Sequence, residues 1–412
     1  MATKLLWASL LASATIATPC WSVPADSVRL GDPSLTGGMS GDGPLSITEI
    51  KKFLDNPANH SVLSVELPEG LAAGKEAVYI PEDNPLTRAK IELGRQLYFD
   101  TRLSGDNTIS CASCHSPSAG YGAHTQFGVG VKGQKGNRNS PTSFNRILSK
   151  TQFWDGRAGS LEAQAVGPIA NPIEMGNTHE SVVKFVTSNE GYRIQIEKIF
   201  GGAPSIDHVG KAIAAFERTL ITGSSPYDFY EPLRKFEEAY SEDLDDLATF
   251  EKDEPENFKK YVDLKKKSDA NPISESAKRG RELFFSTKSN CSACHVGVNF
   301  TDELYHNLGV GMDAAEPDLG RFAQTKVEKD KGAFKTPTLR NIELNGPYMH
   351  DGSQKTLEEV VEWYAKGGHP NPYLSDKIKK LELTAEDKAD LVEFMKSLTG
   401  PLPQVNEGRL PQ

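Results

Sequence analysis

The stretch Cys111-Ala112-Ser113-Cys114-His115 decides how this chain folds, and it returns as Cys291-Ser292-Ala293-Cys294-His295. Two thiols with two residues between them, followed at once by a histidine, form the attachment pattern of a c-type haem. The thiols make thioethers with the haem vinyl groups, and the histidine is carried under the iron as its proximal ligand. Apart from Cys20, all the cysteines of the chain fall in these two motifs. A Cys₄ zinc site or a pair of disulfides would use the sulfurs but leave each following histidine without a role. The pattern predicts two covalently bound haem c groups, one on Cys111, Cys114 and His115, the other on Cys291, Cys294 and His295.

A second repeat precedes each motif. Glu92-Leu93-Gly94-Arg95-Gln96-Leu97-Tyr98-Phe99 leads to the first, and Lys278-Arg279-Gly280-Arg281-Glu282-Leu283-Phe284-Phe285 to the second. Both read Gly-Arg-x-Leu-aromatic-Phe, then a short polar stretch, then the motif. The chain is an internal duplication. The expected fold is mainly α: two cytochrome c-like haem domains, each with helices packed around a mostly buried porphyrin.

At 412 residues the chain has room for two or three domains. Its net charge of -10 argues against a nucleic-acid partner. Lys4, the apolar run Leu5 to Ala17 and Val23-Pro24-Ala25 read as a secretory signal peptide over 1–25, too short to span a bilayer. The expected location is the periplasm, with no membrane-spanning segment. Residues 26–85 read as an N-terminal extension, 86–230 and 273–402 as the two haem domains, 231–272 as an insertion and 403–412 as a tail. Helices are expected from Ser46, over Leu86–Phe99, Ser181–Phe200 and His208–Ile221, from Thr356 to Gly367, and over Thr384–Leu398. No strand pattern of weight appears. Residues 231–270 hold 21 charged residues in 40 and read as a solvated, hairpin-like helical excursion.

Three further stretches carry a resemblance. They are Arg138-Asn139-Ser140-Pro141-Thr142; Gln152-Phe153-Trp154-Asp155-Gly156-Arg157-Ala158 with Leu161-Glu162; and Pro337-Thr338-Leu339-Arg340-Asn341 with Pro347-Tyr348-Met349-His350-Asp351-Gly352. With the two haem motifs they resemble the bacterial di-haem cytochrome c peroxidase family over most of residues 86–400. The resemblance implies that hydrogen peroxide reacts at the N-terminal haem, on His115. The C-terminal haem, on His295, would relay electrons from a small cytochrome or cupredoxin, or store oxidising equivalents. Splitting the O–O bond needs a proton moved from the near to the far oxygen, which one carboxyl helped by an amide can do. The resemblance carries these roles onto Glu162 and Gln152, although Glu162 taken alone reads as an exposed acid at a helix start. It also implies calcium between the domains, at Asn139, Asn345 and Pro347, through the oxygen ligands that a hard cation prefers.

Two departures bear on the subtype. Where the reductively activated branch of the family has a distal histidine, this chain has Val131, and neither Val129 nor Gly130 can ligate. The nearest alternative is His124. An iron open to peroxide before any reduction is therefore expected. Where most members have a methionine as second ligand of the C-terminal haem, this chain has Tyr364, as the MauG branch does; His369 competes but lies beyond Gly367. An anionic phenolate favours the higher oxidation states of iron. That opens an alternative in which peroxide-derived oxidising equivalents, held on both haems, oxidise a tryptophan or tyrosine of a partner protein. Against it, Ser289 stands where that branch has a tryptophan, leaving Trp363 as another exit. A third reading, an electron carrier with two six-coordinate haems, would have no use for an acid such as Glu162 beside the iron.

Overall fold

A computed structural model describes residues 26–412, so the signal peptide expected over 1–25 lies outside the described residues. Among these, no helix is long and apolar enough to cross a membrane.

The fold is mainly helical and built twice. In the first domain Thr87 caps α2 (Arg88–Phe99), its side chain accepting from the Lys90 amide, and α6 (Ile206–Glu217) crosses it. In the second, Ser274 caps α10 (Glu275–Phe284), which is crossed by α12 (Ala385–Lys396). Both crossings are made at the glycine of the repeated octet. A Cβ on Gly94 would stand 1.9 Å from the Ala212 carbonyl oxygen, and one on Gly280 1.9 Å from that of Asp390. The repeated aromatic one turn later joins the same junction. Tyr98 meets Phe216 edge-on at 5.2 Å, and Phe284 meets Phe394 at 4.9 Å. Each domain builds its own apolar core around this junction.

Between the crossing helices of the first domain lie α3 (Leu161–Ala170), α4 (His179–Ser188) and α5 (Glu190–Phe200). The single helix expected over Ser181–Phe200 is two. Asn189 leaves the helical backbone at ψ 110° and its side chain accepts from the Tyr192 amide, so it ends one helix and caps the next. The expected helix from Ser46 is α1 (Ile47–Leu54), with a full capping box between Ser46 and Glu49. The charged excursion is helical: α7 (Pro226–Ala239), α8 (Leu247–Asp253) and α9 (Pro255–Ala270). It carries its own aromatic cluster, with Phe236 stacked on Tyr240 at 4.4 Å. The helix begun by Thr356 is α11 (Leu357–Ala365), and Gly367 follows its end at φ +87°.

The expectation of no strands is corrected by two small sheets. β1 (Asp26–Arg29) pairs in parallel with β2 (Leu63–Glu66), and β3 (Tyr305–Asn307) antiparallel with β4 (Ala333–Lys335). Strands of three or four residues are too short for a two-residue alternation to register in sequence. The tail, 403–412, runs back over the first domain. Arg95, fully buried, donates to the Asn406 and Arg409 carbonyls, and Arg102 to that of Pro411.

The glycine crossings predict that Gly280→Ala destabilises the protein by about 1–3 kcal/mol through overpacking. The urea midpoint of the haem-loaded protein should fall; an unchanged midpoint would mean that the helices part without cost.

Candidate active site

In both motifs the histidine amide donates to the carbonyl of the first cysteine, at 3.0 Å for His115 and 3.1 Å for His295. Each tight turn brings two sulfurs and an imidazole to the wall of one cavity. The N-terminal cavity holds about 1870 Å³ of empty space and the C-terminal one about 1810 Å³, both open to solvent. His295 Nδ1 lies 2.9 Å from the Phe300 carbonyl, to which it can only donate, leaving Nε2 the bare nitrogen that iron requires. Burial lowers the pKa of both histidines, so both rings stay neutral, as a metal ligand must be. His115 Nδ1 is buried without a hydrogen-bond partner.

The two cavities share a wall that includes Pro141, Arg146, Trp154, Lys335 and Pro337. Trp154 is fixed there by its indole N–H, which donates to the Asn139 carbonyl at 2.9 Å, and by its own carbonyl, which accepts from the Lys335 amide at 2.8 Å. Burial pulls the Lys335 ammonium down to about 8, against the pull of Glu303, with which it pairs. A buried lysine and a half-buried arginine between two largely apolar chambers suit the propionates of two haems. The donor set therefore fits a haem c in each cavity.

The sequence-derived acid–base pair divides. Gln152 lines the N-terminal cavity, but both ends of its amide are used: Oε1 accepts from Arg146 at 2.8 Å and Nε2 donates to the Ser149 carbonyl at 3.2 Å. Glu162 is not part of that wall. Its carboxylate takes Arg218 through two hydrogen bonds, 2.6 and 3.1 Å, and Asn84 through a third. Instead Gln164 and Glu174 line the cavity together with His115. Burial raises the Glu174 pKa, opposed by Arg157. Neither residue was singled out from sequence, yet the signal was there: Gln164 and Glu174 repeat the ten-residue spacing of Gln152 and Glu162. Residues 162 and 164 lie about 200° apart around a helix, so only one of the two can face the cavity.

Val131 is buried, and its side chain packs on Gly176. His124 lies elsewhere, its Nε2 3.2 Å from the Leu344 carbonyl, and His115 is the one histidine in the N-terminal cavity wall. In the C-terminal cavity Tyr364 lines the wall with His295, and burial pushes its phenol well up; His369 does not line it. Asn139, Asn345 and Pro347 come together on that same wall. The amides of Asn139 and Asn345 donate to the carbonyls of Thr125, Gln126 and Gly120. Trp363 donates to the Leu308 carbonyl, with the Lys366 ammonium 3.8 Å above its ring.

The family model described as di-haem cytochrome c peroxidase matches residues 88–237, and that described as cytochrome c matches 277–399. The methylamine utilization protein MauG of Methylorubrum extorquens is 36% identical over 340 residues, covering 82% of this chain and 85% of its own. The cytochrome c551 peroxidase of Nitrosomonas europaea is 35% identical over 346 residues, covering 83% and 90%. Among solved structures, a MauG-like protein associated with microbial copper homeostasis superposes with a TM-score of 0.64 at 31% identity, covering 78% of this chain and 92% of its own.

The Glu162–Arg218 pair yields a stability prediction. Burial raises the Glu162 pKa, but the hydrogen bonds and charge of Arg218 outweigh it, and the folded value lies below the ordinary one. The stabilisation is then complete above the unfolded pKa and is lost as pH falls through the folded value. Glu162→Gln should cost about 3 kcal/mol at neutral pH, because Arg218 is left buried and unpaired. The cost should shrink in acid, measured by urea midpoints across pH. A midpoint equal to wild type at neutral pH would remove the pair from the stability account.

Proposed function

The chain belongs to the di-haem cytochrome c peroxidase family, and we propose that it is an exported peroxidase reducing hydrogen peroxide to water in the N-terminal cavity, with electrons arriving through the C-terminal one. The carrying observation is that Glu174 and Gln164 line the same cavity as His115, while Val131, buried at the position of the activated branch's distal histidine, offers no ligand. Haem iron, when bound, supplies the redox centre at which peroxide is reduced. Glu174 does the proton work. Its raised pKa keeps its proton affinity nearer neutrality, so it takes a proton from one peroxide oxygen and returns it to the other, which leaves as water. Gln164 offers an amide to orient peroxide, and its neutrality leaves the carboxyl's pKa undisturbed. Two electrons and two protons complete the balance to two waters. Trp154, common to both walls, is the side chain best placed to pass electrons between the cavities. The donor is a small cytochrome or cupredoxin. Calcium at Asn139, Asn345 and Pro347 would brace the wall in which those residues sit.

Tyr364 favours a second reading. A phenolate on the second haem disfavours its reduction and favours holding oxidising equivalents. The chain would then oxidise a tryptophan or tyrosine of a partner protein. Lys366 over the Trp363 ring disfavours a cation there, so Trp363 is a poor exit.

Electron paramagnetic resonance of the diferric protein should give one high-spin and one low-spin haem, both signals falling on stoichiometric peroxide. Two low-spin haems indifferent to peroxide would sink the peroxidase reading. Glu174→Gln should slow the peroxide reaction by about two to four orders of magnitude, measured by stopped flow. Glu162→Gln should leave that rate nearly unchanged, and the reverse ranking would return the acid's role to Glu162. In Tyr364→Phe the low-spin signal should change; an identical signal would exclude the phenolate.

A further inference from the structure

Among the described residues three buried side-chain atoms lack a hydrogen-bond partner, and one is a carboxylate oxygen, Glu217 Oε2. Glu217 is the last residue of α6, is 4% exposed, and lines the N-terminal cavity. The proton transfers assigned to Glu174 make no use of it.

The groups around Glu217 are all engaged elsewhere. On its own chain segment, Arg218 grips Glu162 and donates to the Tyr79 carbonyl. From the loop before Gln152, Arg146 donates to Gln152 and to Ser149 Oγ. From α2, the Tyr98 hydroxyl serves the His115 carbonyl and Ser143 Oγ, at 2.9 and 3.0 Å. Cys111 of the attachment turn is a neutral thioether once haem is bound, and Glu162 of α3 adds a like charge. No donor remains for a carboxylate at Glu217. An ion in such a place is costly, and the group keeps its proton instead. Burial raises its pKa to about 8, with Arg218 and Arg146 only partly opposing.

The duplication shows that the fold does not ask for an acid here. Phe216 and Phe394 occupy equivalent places over the crossing glycines. The residue after Phe394 is Met395, which lines the C-terminal cavity as Glu217 lines the N-terminal one. An apolar side chain satisfies the packing in one domain, whereas the peroxide-side domain carries a carboxyl at the same position.

We propose that Glu217 is the redox-linked proton carrier of the N-terminal haem. It holds a proton while that iron is ferrous and gives it to cavity water when the iron becomes ferric. With haem bound, each electron received through the C-terminal cavity would bring one proton onto Glu217, and two such electrons and two protons turn one peroxide into two waters. The sign follows from charge: positive charge added in a cavity of low dielectric lowers the pKa of a nearby acid. Deprotonation in turn stabilises ferric iron, so the midpoint potential of this haem falls as pH rises. The released proton enters the chamber in which peroxide becomes water. This inference rests on the peroxidase reading of the same cavity.

The test is a potentiometric titration of the haem-loaded protein and its Glu217→Gln variant from about pH 6 to pH 9, around the shifted acid, joined to redox-induced infrared difference spectra. In the wild type the potential of the N-terminal haem should fall with pH, and oxidation should remove a protonated-carboxyl C=O band. In Glu217→Gln the slope and the band should vanish, while the C-terminal potential stays as it was. A slope and band retained in the variant would overturn the proposal, as would a wild-type spectrum without the band, which decides the matter even where the variant loads haem poorly. A wild-type protein with haem on the second motif alone would instead overturn the peroxidase reading beneath it.

Discussion

Two helices touching backbone to backbone at a glycine are the constraint on which each half of this molecule depends. Gly94 and Gly280 let α6 and α12 approach so closely that no side chain could stand between. The close approach brings Tyr98 onto Phe216 and Phe284 onto Phe394, and these rings fix where the haem-attachment turn begins. An aromatic pair of this kind is worth about 0.5–1.5 kcal/mol beyond its burial. Its larger effect is geometric, because the turn that bears the cysteines follows the aromatic repeat by only a short polar stretch.

The cavities that result are alike in origin and unlike in chemistry. Both have two sulfurs and a neutral imidazole, and they share a wall that holds Trp154, Arg146 and the buried Lys335. The first is furnished with Gln164, Glu174 and Glu217, the second with Tyr364 and Met395. Carboxyl groups collect in the first chamber, whereas the second has a phenol, a thioether and the further histidines His306 and His350. Duplication supplied two similar vessels, and substitution at a few wall positions gave them different side chains.

Much of this was legible in the chain itself. The haem motifs, the repeated octet and caps such as Ser46, Thr356 and Thr384 are local patterns with local causes, and they predict helices at nearly the observed places. The two small sheets were not legible, since their partners are brought together by distant packing. Which carboxyl serves the peroxide site was not legible, for a related reason. Two glutamine–glutamate pairs with the same spacing lie twelve residues apart, and sequence spacing cannot say which helix face meets the cavity. Arg218, buried far along the chain, needs a carboxylate, and in the structure Glu162 answers it. Glu217 went unnoticed for the opposite reason, being defined by the partners it lacks.

The tail that crosses back to Arg95 and Arg102 has a consequence for how the chain is assembled. A buried guanidinium of the first domain finds its carbonyl acceptors in residues that follow the entire second domain in the chain. The helices of the first domain therefore do not supply all the partners of Arg95. Until the tail arrives, Arg95 has only Glu92 to answer it. The chain is sewn shut from its far end, so the last contacts of the first domain wait on residues beyond the second.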